Sequence, residues 1–312
     1  MSHSSSYRIS VGFLVLTFAA CGADPNGRLD SYPPPALADS ESRVITSVAT
    51  SRDYQVTVAL PRGYADSDER YPVLYAVDAN GQFGTVVETA RLVRFEELVP
   101  ELIIVGVGYP VGRMWNAAPP RLVDLTPTSD PEWVEQWSID YPQFPAPEGS
   151  GGAPGFLRFL LEELIPLIDS EYRAKPNDRA LYGHSAGGLF SFYALLQGDG
   201  AFHRFIIASP SLWWDDGVSF DMESRYHEAH TSLPARVFLS VGVLEETDSD
   251  EEWAFMVSNF ERLVRVLEER EYAALDYEAH FFENETHNSV IAPGISRGLR
   301  SIYRDWQGSG SQ

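Results

Sequence analysis

Apolar and polar residues alternate at the start of the patterned part of the chain. Residues 44–48 (Val-Ile-Thr-Ser-Val) and 55–60 (Gln-Val-Thr-Val-Ala-Leu) carry the period of half-buried strands and predict an antiparallel hairpin. Pro61-Arg62-Gly63-Tyr64 then turns the chain into a strand over 71–77. Residues 102–108 form an unbroken apolar run, as expected of a parallel strand buried on both faces. Short runs at 179–182 and 205–208, and longer ones at 235–242 and 275–282, read as further strands. Helical spacing covers 156–168, with Pro154 near its start, and 188–196. Residues 253–270 read as an amphipathic helix with Phe255, Val257, Phe260, Leu263, Val264 and Leu267 on its apolar face. Strands alternating with helices predict an α/β fold: a mostly parallel sheet, helices on both faces, and the antiparallel hairpin at its N-terminal end.

The pattern breaks between Thr126 and Gly155. A loop or lid insertion over about 128–155 holds Trp133, Trp137, Tyr141 and Phe144, followed by a Gly/Ser stretch. Long irregular loops in compact domains are often lids or binding loops. Its aromatic residues either line a substrate pocket or pin the loop to the body.

The N-terminus has a different character. Arg8 precedes an apolar run over 9–20 that is too short to span a bilayer, so residues 1–21 read as a signal peptide. Cys21, the only cysteine, cannot form an internal disulfide. Its place after Phe18-Ala19-Ala20 resembles a bacterial lipobox, with Phe18 where leucine is usual. Lipidation at Cys21 would tether the protein to a membrane face outside the cytoplasm, periplasmic or at the cell surface. Residues 22–42, rich in Pro, Asp and Ser, read as an unstructured tether, which leaves 43–307 as one catalytic-sized domain.

Composition narrows the partners. The formal charge of −22 argues against nucleic acid, which needs basic patches. Lys175 is the only lysine, and no catalytic lysine is suggested.

The candidate chemistry centres on Gly183-His184-Ser185-Ala186-Gly187, a G-x-S-x-G pattern between a strand and a helix. In that setting the serine occupies a sharp corner with its hydroxyl exposed. A serine needs a histidine to take its proton, and the histidine needs a carboxylate to fix its tautomer. His287, in the loop after the last strand, is the choice over His203, His227, His230 and His280. Glu245, three residues past the glycine that ends the 235–242 strand, is the choice of acid. Glu246 competes with it, and Asp248 and Asp250 are outsiders. Two backbone N–H groups should hold the oxyanion: that of Ala186, and that of Asn80 or Gly81 in the loop that Asp78 opens.

Six stretches match a known group in order: 71–78, Gly106-Val107-Gly108-Tyr109-Pro110, Arg121-Leu122-Val123-Asp124-Leu125-Thr126-Pro127, 183–188, Ser209-Pro210-Ser211-Leu212-Trp213-Trp214 and His287-Asn288-Ser289-Val290. Over about 44–303 the chain resembles the esterase branch of the α/β-hydrolase superfamily, which includes enterochelin (siderophore trilactone) esterases. The resemblance implies a serine carboxylester hydrolase with neither cofactor nor metal. It also implies that Arg113 and Arg121 hold an anionic substrate, although Arg121 could equally pair with Asp124 in a turn. Trp213 reads as a wall of the substrate site and Trp214 as core. Some esterases of this kind use a Ser–His dyad, which leaves the role of Glu245 open. The expected activity is hydrolysis of a small ester through an acyl-enzyme. The alternatives are acyl transfer by the same residues and a non-catalytic, surface-tethered binding protein.

Overall fold

The computed structural model describes residues 37–111, 118–246 and 255–306. Its eight strands are β1 (Ser40–Thr46), β2 (Asp53–Ala59), β3 (Tyr71–Ala76), β4 (Ile103–Gly108), β5 (Ala174–His184), β6 (Arg204–Ala208), β7 (Ser232–Gly242) and β8 (Ala273–Phe282). They form one sheet in the order β1-β2-β4-β3-β5-β6-β7-β8. β1 and β2 pair antiparallel, β2 joins β4 antiparallel, and every pair from β4 to β8 is parallel. This is the mostly parallel sheet with an antiparallel N-terminal pair expected from the hydrophobic pattern, and the arrangement that the α/β-hydrolase resemblance implies.

The helices are α1 (Ala79–Phe95), α2 (Ala118–Leu125), α3 (Pro131–Asp140), α4 (Ala153–Arg158), α5 (Ile165–Glu171), α6 (Ala186–Gln197), α7 (Trp214–Ala229), α8 (Met256–Arg270) and α9 (Ile291–Ile302). α1 and α9 cover one face of the sheet through Val86, Val87, Ile295 and Leu299. α4, α6 and α8 cover the other through Phe156, Phe190, Phe260 and Leu263. Covering on both sides is why β3 and β4 are buried at every position and show no alternation.

Four details differ from the pattern reading. Leu37 packs on the core and Ser40–Ser42 belong to β1, so residues expected in the 22–42 tether are part of the folded body. The 156–168 helix is interrupted by a π-helical segment over Phe159–Leu164. α8 starts at Met256 and leaves Phe255 44% exposed, off the apolar face. The insertion is not wholly irregular, because α3 lies within it. There the Asp130 side chain accepts the Trp133 N–H at 2.9 Å and Pro131 occupies the first turn, two local signals for a helix start.

Gly183, at the end of β5, shows how tightly the β5–α6 corner is built. A Cβ there would lie 1.9 Å from the Gly187 carbonyl oxygen. Backbone at that distance cannot give way as a flexible side chain would. Gly183→Ala is expected to cost about 3 kcal/mol or more, read as a fall in the urea midpoint.

Candidate active site

Ser185 sits where β5 hands over to α6, with φ 63° and ψ −125°. Such a conformation is costly for a residue with a side chain and survives only when its surroundings hold it. Three backbone bonds do so: Ser185 N–H to Ala208 O at 3.1 Å, Ser211 N–H to Ser185 O at 3.2 Å, and Leu189 N–H to Ser185 O at 3.0 Å. Ala186 is the first residue of α6, so its N–H has no acceptor within the helix. Asn80 lies in the first turn of α1, beyond the end of β3.

His287 lies in the turn between β8 and α9, and Glu245 in a single 3-10 turn after β7. The His287 Nδ1 bonds Glu245 Oε2 at 2.6 Å. An ionised carboxylate only accepts, so Nδ1 carries the proton and Nε2 is left as the acceptor a nucleophile requires. The other Glu245 oxygen accepts from the Gly242 N–H at 2.6 Å and the Ser209 hydroxyl at 2.7 Å. With its side chain only 1% exposed, the carboxylate depends on those donors for its solvation.

His184, beside the serine, packs against His287 with ring centroids 4.6 Å apart. Burial first, then the neighbouring His287 and Arg121, push its pKa well below the ordinary histidine value. Its surroundings therefore favour the neutral imidazole. Its Nε2 has no hydrogen-bond partner among the described residues. Motif spacing alone singles out neither His184 nor Ser209, although they stand within Gly183–Gly187 and Ser209–Trp214.

Glu246, the competing acid, points elsewhere. Its carboxylate accepts the Val257 N–H at 2.8 Å and the Ser258 N–H at 3.0 Å, closing the N-terminus of α8. Glu246→Ala is expected to cost about 1 kcal/mol of stability and to leave kcat within about two-fold, read by denaturation and steady-state kinetics. Asp248, Asp250, Arg113 and Cys21 lie outside the described residues. His280 packs edge-on to Phe282, His230 stacks on Tyr226, and His227 meets Tyr272 edge-on. His203 sits at the opposite end of β6 from the serine turn, where its backbone bridges Arg179 and Arg236.

Arg121 does not pair with Asp124. Its Nε bonds the buried Asp78 carboxylate at 2.6 Å. Asp124 instead accepts the Tyr54 hydroxyl at 2.9 Å and the Tyr109 hydroxyl at 3.1 Å, with Arg52 Nε at 3.6 Å. Burial pushes the Asp124 carboxyl up to about 6, against the pull of Arg52 and the two hydroxyls. A carboxyl raised on folding contributes stability below its ordinary value and loses it as pH rises through about 6. The stability difference between wild type and Asp124→Asn is therefore expected to shift against the wild type from pH 4.5 to 7.5, measured by urea unfolding at each pH.

The insertion's aromatic residues form a chain that reaches the body. Trp133 packs against Trp213 and Trp214 at 5.6 and 5.0 Å, and Trp137 continues it to Tyr141 and Phe144. Trp214 is buried, whereas Trp213 keeps part of its surface open. A hollow of about 350 Å³ opens beside it, lined by Phe255, Asn259 and Arg262 among others. It adjoins the acid turn, because Glu246 bonds the neighbouring Ser258. Neither this hollow nor the larger ones of about 840 and 670 Å³ is lined by Ser185, Glu245 or His287, and the bonded geometry locates the site better than hollow size does.

A sequence profile of the family described as "Putative esterase" matches residues 47–291. The chain belongs to this esterase family. The ferri-bacillibactin esterase BesA of Bacillus subtilis is 32% identical over 270 residues, covering 85% of this chain and 89% of the relative. The siderophore enterobactin esterase of Emericella nidulans is 31% identical over 279 residues, covering 79% and 88%. Among solved structures, the BES protein of Bacillus cereus superposes with a TM-score of 0.75 at 29% identity, covering 88% of this chain and 98% of that one. This esterase is accordingly a carboxylic ester hydrolase.

Proposed function

We propose that this esterase hydrolyses ester bonds of a siderophore, of the trilactone type, through a covalent acyl-enzyme on Ser185. The bond between Glu245 Oε2 and His287 Nδ1 carries the reading, because it leaves His287 Nε2 ready to accept a proton beside the serine corner. Ser185 Oγ attacks the ester carbonyl as its proton passes to His287 Nε2. The Ala186 and Asn80 N–H groups hold the oxyanion. Collapse of the tetrahedral adduct breaks the ester C–O bond, and His287 gives its proton to the leaving alcohol. Water then attacks the acyl-enzyme, losing a proton to His287, and Ser185 is released with the free acid. Throughout, Glu245 orients His287 and neutralises its transient charge. Trp213, which borders the hollow beside α8, is the residue proposed to meet a substrate arm, whereas Arg121 is engaged by the Asp78 carboxylate.

The substrate class draws on the two siderophore esterases that resemble this chain. A matched panel tests it: p-nitrophenyl acyl esters, a feruloyl ester, and catecholate trilactone with and without iron, on wild type and Ser185→Ala. Trilactone cleavage lost in the variant supports the reading, whereas cleavage of simple esters alone overturns the siderophore assignment. Transfer to an added alcohol in preference to water would make the enzyme an acyltransferase.

We further propose, from the apolar run before Cys21 alone, that the enzyme lies outside the cytoplasm, tethered through a lipid on Cys21. Detergent-phase partitioning lost on Cys21→Ser is the expected result, and partitioning unchanged by that substitution argues against the anchor.

A further inference from the structure

The turn between β3 and α1 is gripped from two sides. Asp78 opens it with φ 60° and ψ 32°, in the left-handed region that few residues other than glycine adopt. Its carboxylate is buried and bonds Arg121 Nε at 2.6 Å. It also lies against the first turn of the nucleophile helix, since a Cβ on Gly187 would come 3.9 Å from Asp78 Oδ2. Two residues on, Asn80 folds across the end of β4. Its Oδ1 accepts the Tyr109 N–H at 2.7 Å, and its Nδ2 donates to the Tyr109 carbonyl at 2.7 Å. The Tyr109 hydroxyl in turn donates to Asp124 Oδ2 at 3.1 Å. Arg121 and Asp124 are three residues apart on α2, so one helix holds both ends of the turn.

Two physical demands explain such an arrangement. An oxyanion donor is effective only where its N–H is held in place before charge develops. A buried carboxylate beside that position opposes a second negative charge unless a cation neutralises it. Arg121 meets the second demand, and the two bonds of α2 meet the first.

We propose that Arg121 and Asp124 form a clamp that positions the Asp78–Asn80 turn for oxyanion stabilisation, with Arg121 acting on Asp78 directly and Asp124 acting on Asn80 through Tyr109. Both are positioning residues, and the inference rests on the serine-esterase reading above. It assigns Arg121 a role that does not depend on the charge of the substrate.

Arg121→Met, Tyr109→Phe and Tyr54→Phe separate the possibilities, each assayed on neutral p-nitrophenyl acetate and by the rate at which an uncharged fluorophosphonate labels Ser185. Labelling uses the same oxyanion donors but requires no ester turnover. Arg121→Met is expected to lower kcat about 100-fold and Tyr109→Phe about 10-fold, with KM within about three-fold and labelling slowed in the same order. Tyr54→Phe removes the other hydroxyl on Asp124 without touching the turn. It should lower the melting temperature yet keep kcat and labelling within about two-fold. Unchanged kcat and labelling in Arg121→Met would overturn the clamp, and a rise in KM confined to anionic esters would mark Arg121 as a substrate contact instead. Equal slowing by Tyr54→Phe and Tyr109→Phe would reduce Asp124 to a structural hub. If the wild type is labelled but cleaves no ester, the hydrolase reading fails while the relative labelling rates still decide the clamp.

Discussion

Ser185→Ala is expected to lower kcat for ester hydrolysis about 10⁵- to 10⁶-fold, with KM little changed and the fold intact. The size follows from what is removed. On the proposed mechanism no acyl-enzyme forms without an Oγ, and the residual rate comes from ester binding and the oxyanion donors alone. The fold should survive because the corner is held by the backbone. The bonds from Ser185 N–H to Ala208 O and from Ser211 N–H and Leu189 N–H to Ser185 O are unaffected by the substitution. Alanine meets the same strain at φ 63° as serine does. Steady-state kinetics together with a melting curve check both halves. A variant retaining more than about 1% of wild-type kcat would remove Ser185 as the nucleophile.

Glu245→Gln is expected to cost about 10⁴-fold in kcat, a loss far beyond that of removing one charge at a surface. Glu245 Oε1 accepts two bonds, from the Gly242 N–H and the Ser209 hydroxyl, so the amide oxygen of glutamine takes that side. The amide NH₂ then faces His287 Nδ1, which must become an acceptor. The ring proton moves to Nε2, and the imidazole can no longer receive the proton from Ser185. Ser209→Ala should soften this effect in the double variant by freeing one of the two donors that orient the amide. Loss of only about ten-fold in Glu245→Gln would point to a Ser–His dyad, with Glu245 holding the turn. The kinetics of the three variants, with proton NMR of the His287 ring, decide between these outcomes.

Much of the fold was legible in the chain because its signals are local. The unbroken run read at 102–108 forms a strand over Ile103–Gly108 that is buried on both faces, as its lack of alternation implied. The hairpin, the serine corner and the strands expected at 205–208 and 235–242 followed from period and glycine placement, and the structure extends the two strands to Arg204 and Ser232. α3 was hidden because Asp130, Pro131 and the half-buried tryptophans after them also read as loop, and none of its residues is fully buried. Phe255 matched the apolar period of α8 but precedes its first turn, and period alone does not say where a helix begins.

By itself, the sequence determined the fold class, the turn at Ser185 and the chain order of Ser185, Glu245 and His287, because each is set by spacing within a few residues or by position after a strand. Only the tertiary structure decided between neighbours. Glu245 and Glu246 are adjacent and chemically alike, yet one bonds His287 and the other closes α8. Arg121 reaches Asp78, 43 residues away, in place of the acid one turn along its own helix. His184 lies against His287 although a hundred residues separate them in the chain. Partner choice of this kind depends on which strand ends converge at the C-terminal edge of the sheet, and on how burial penalises every charge left without a partner there.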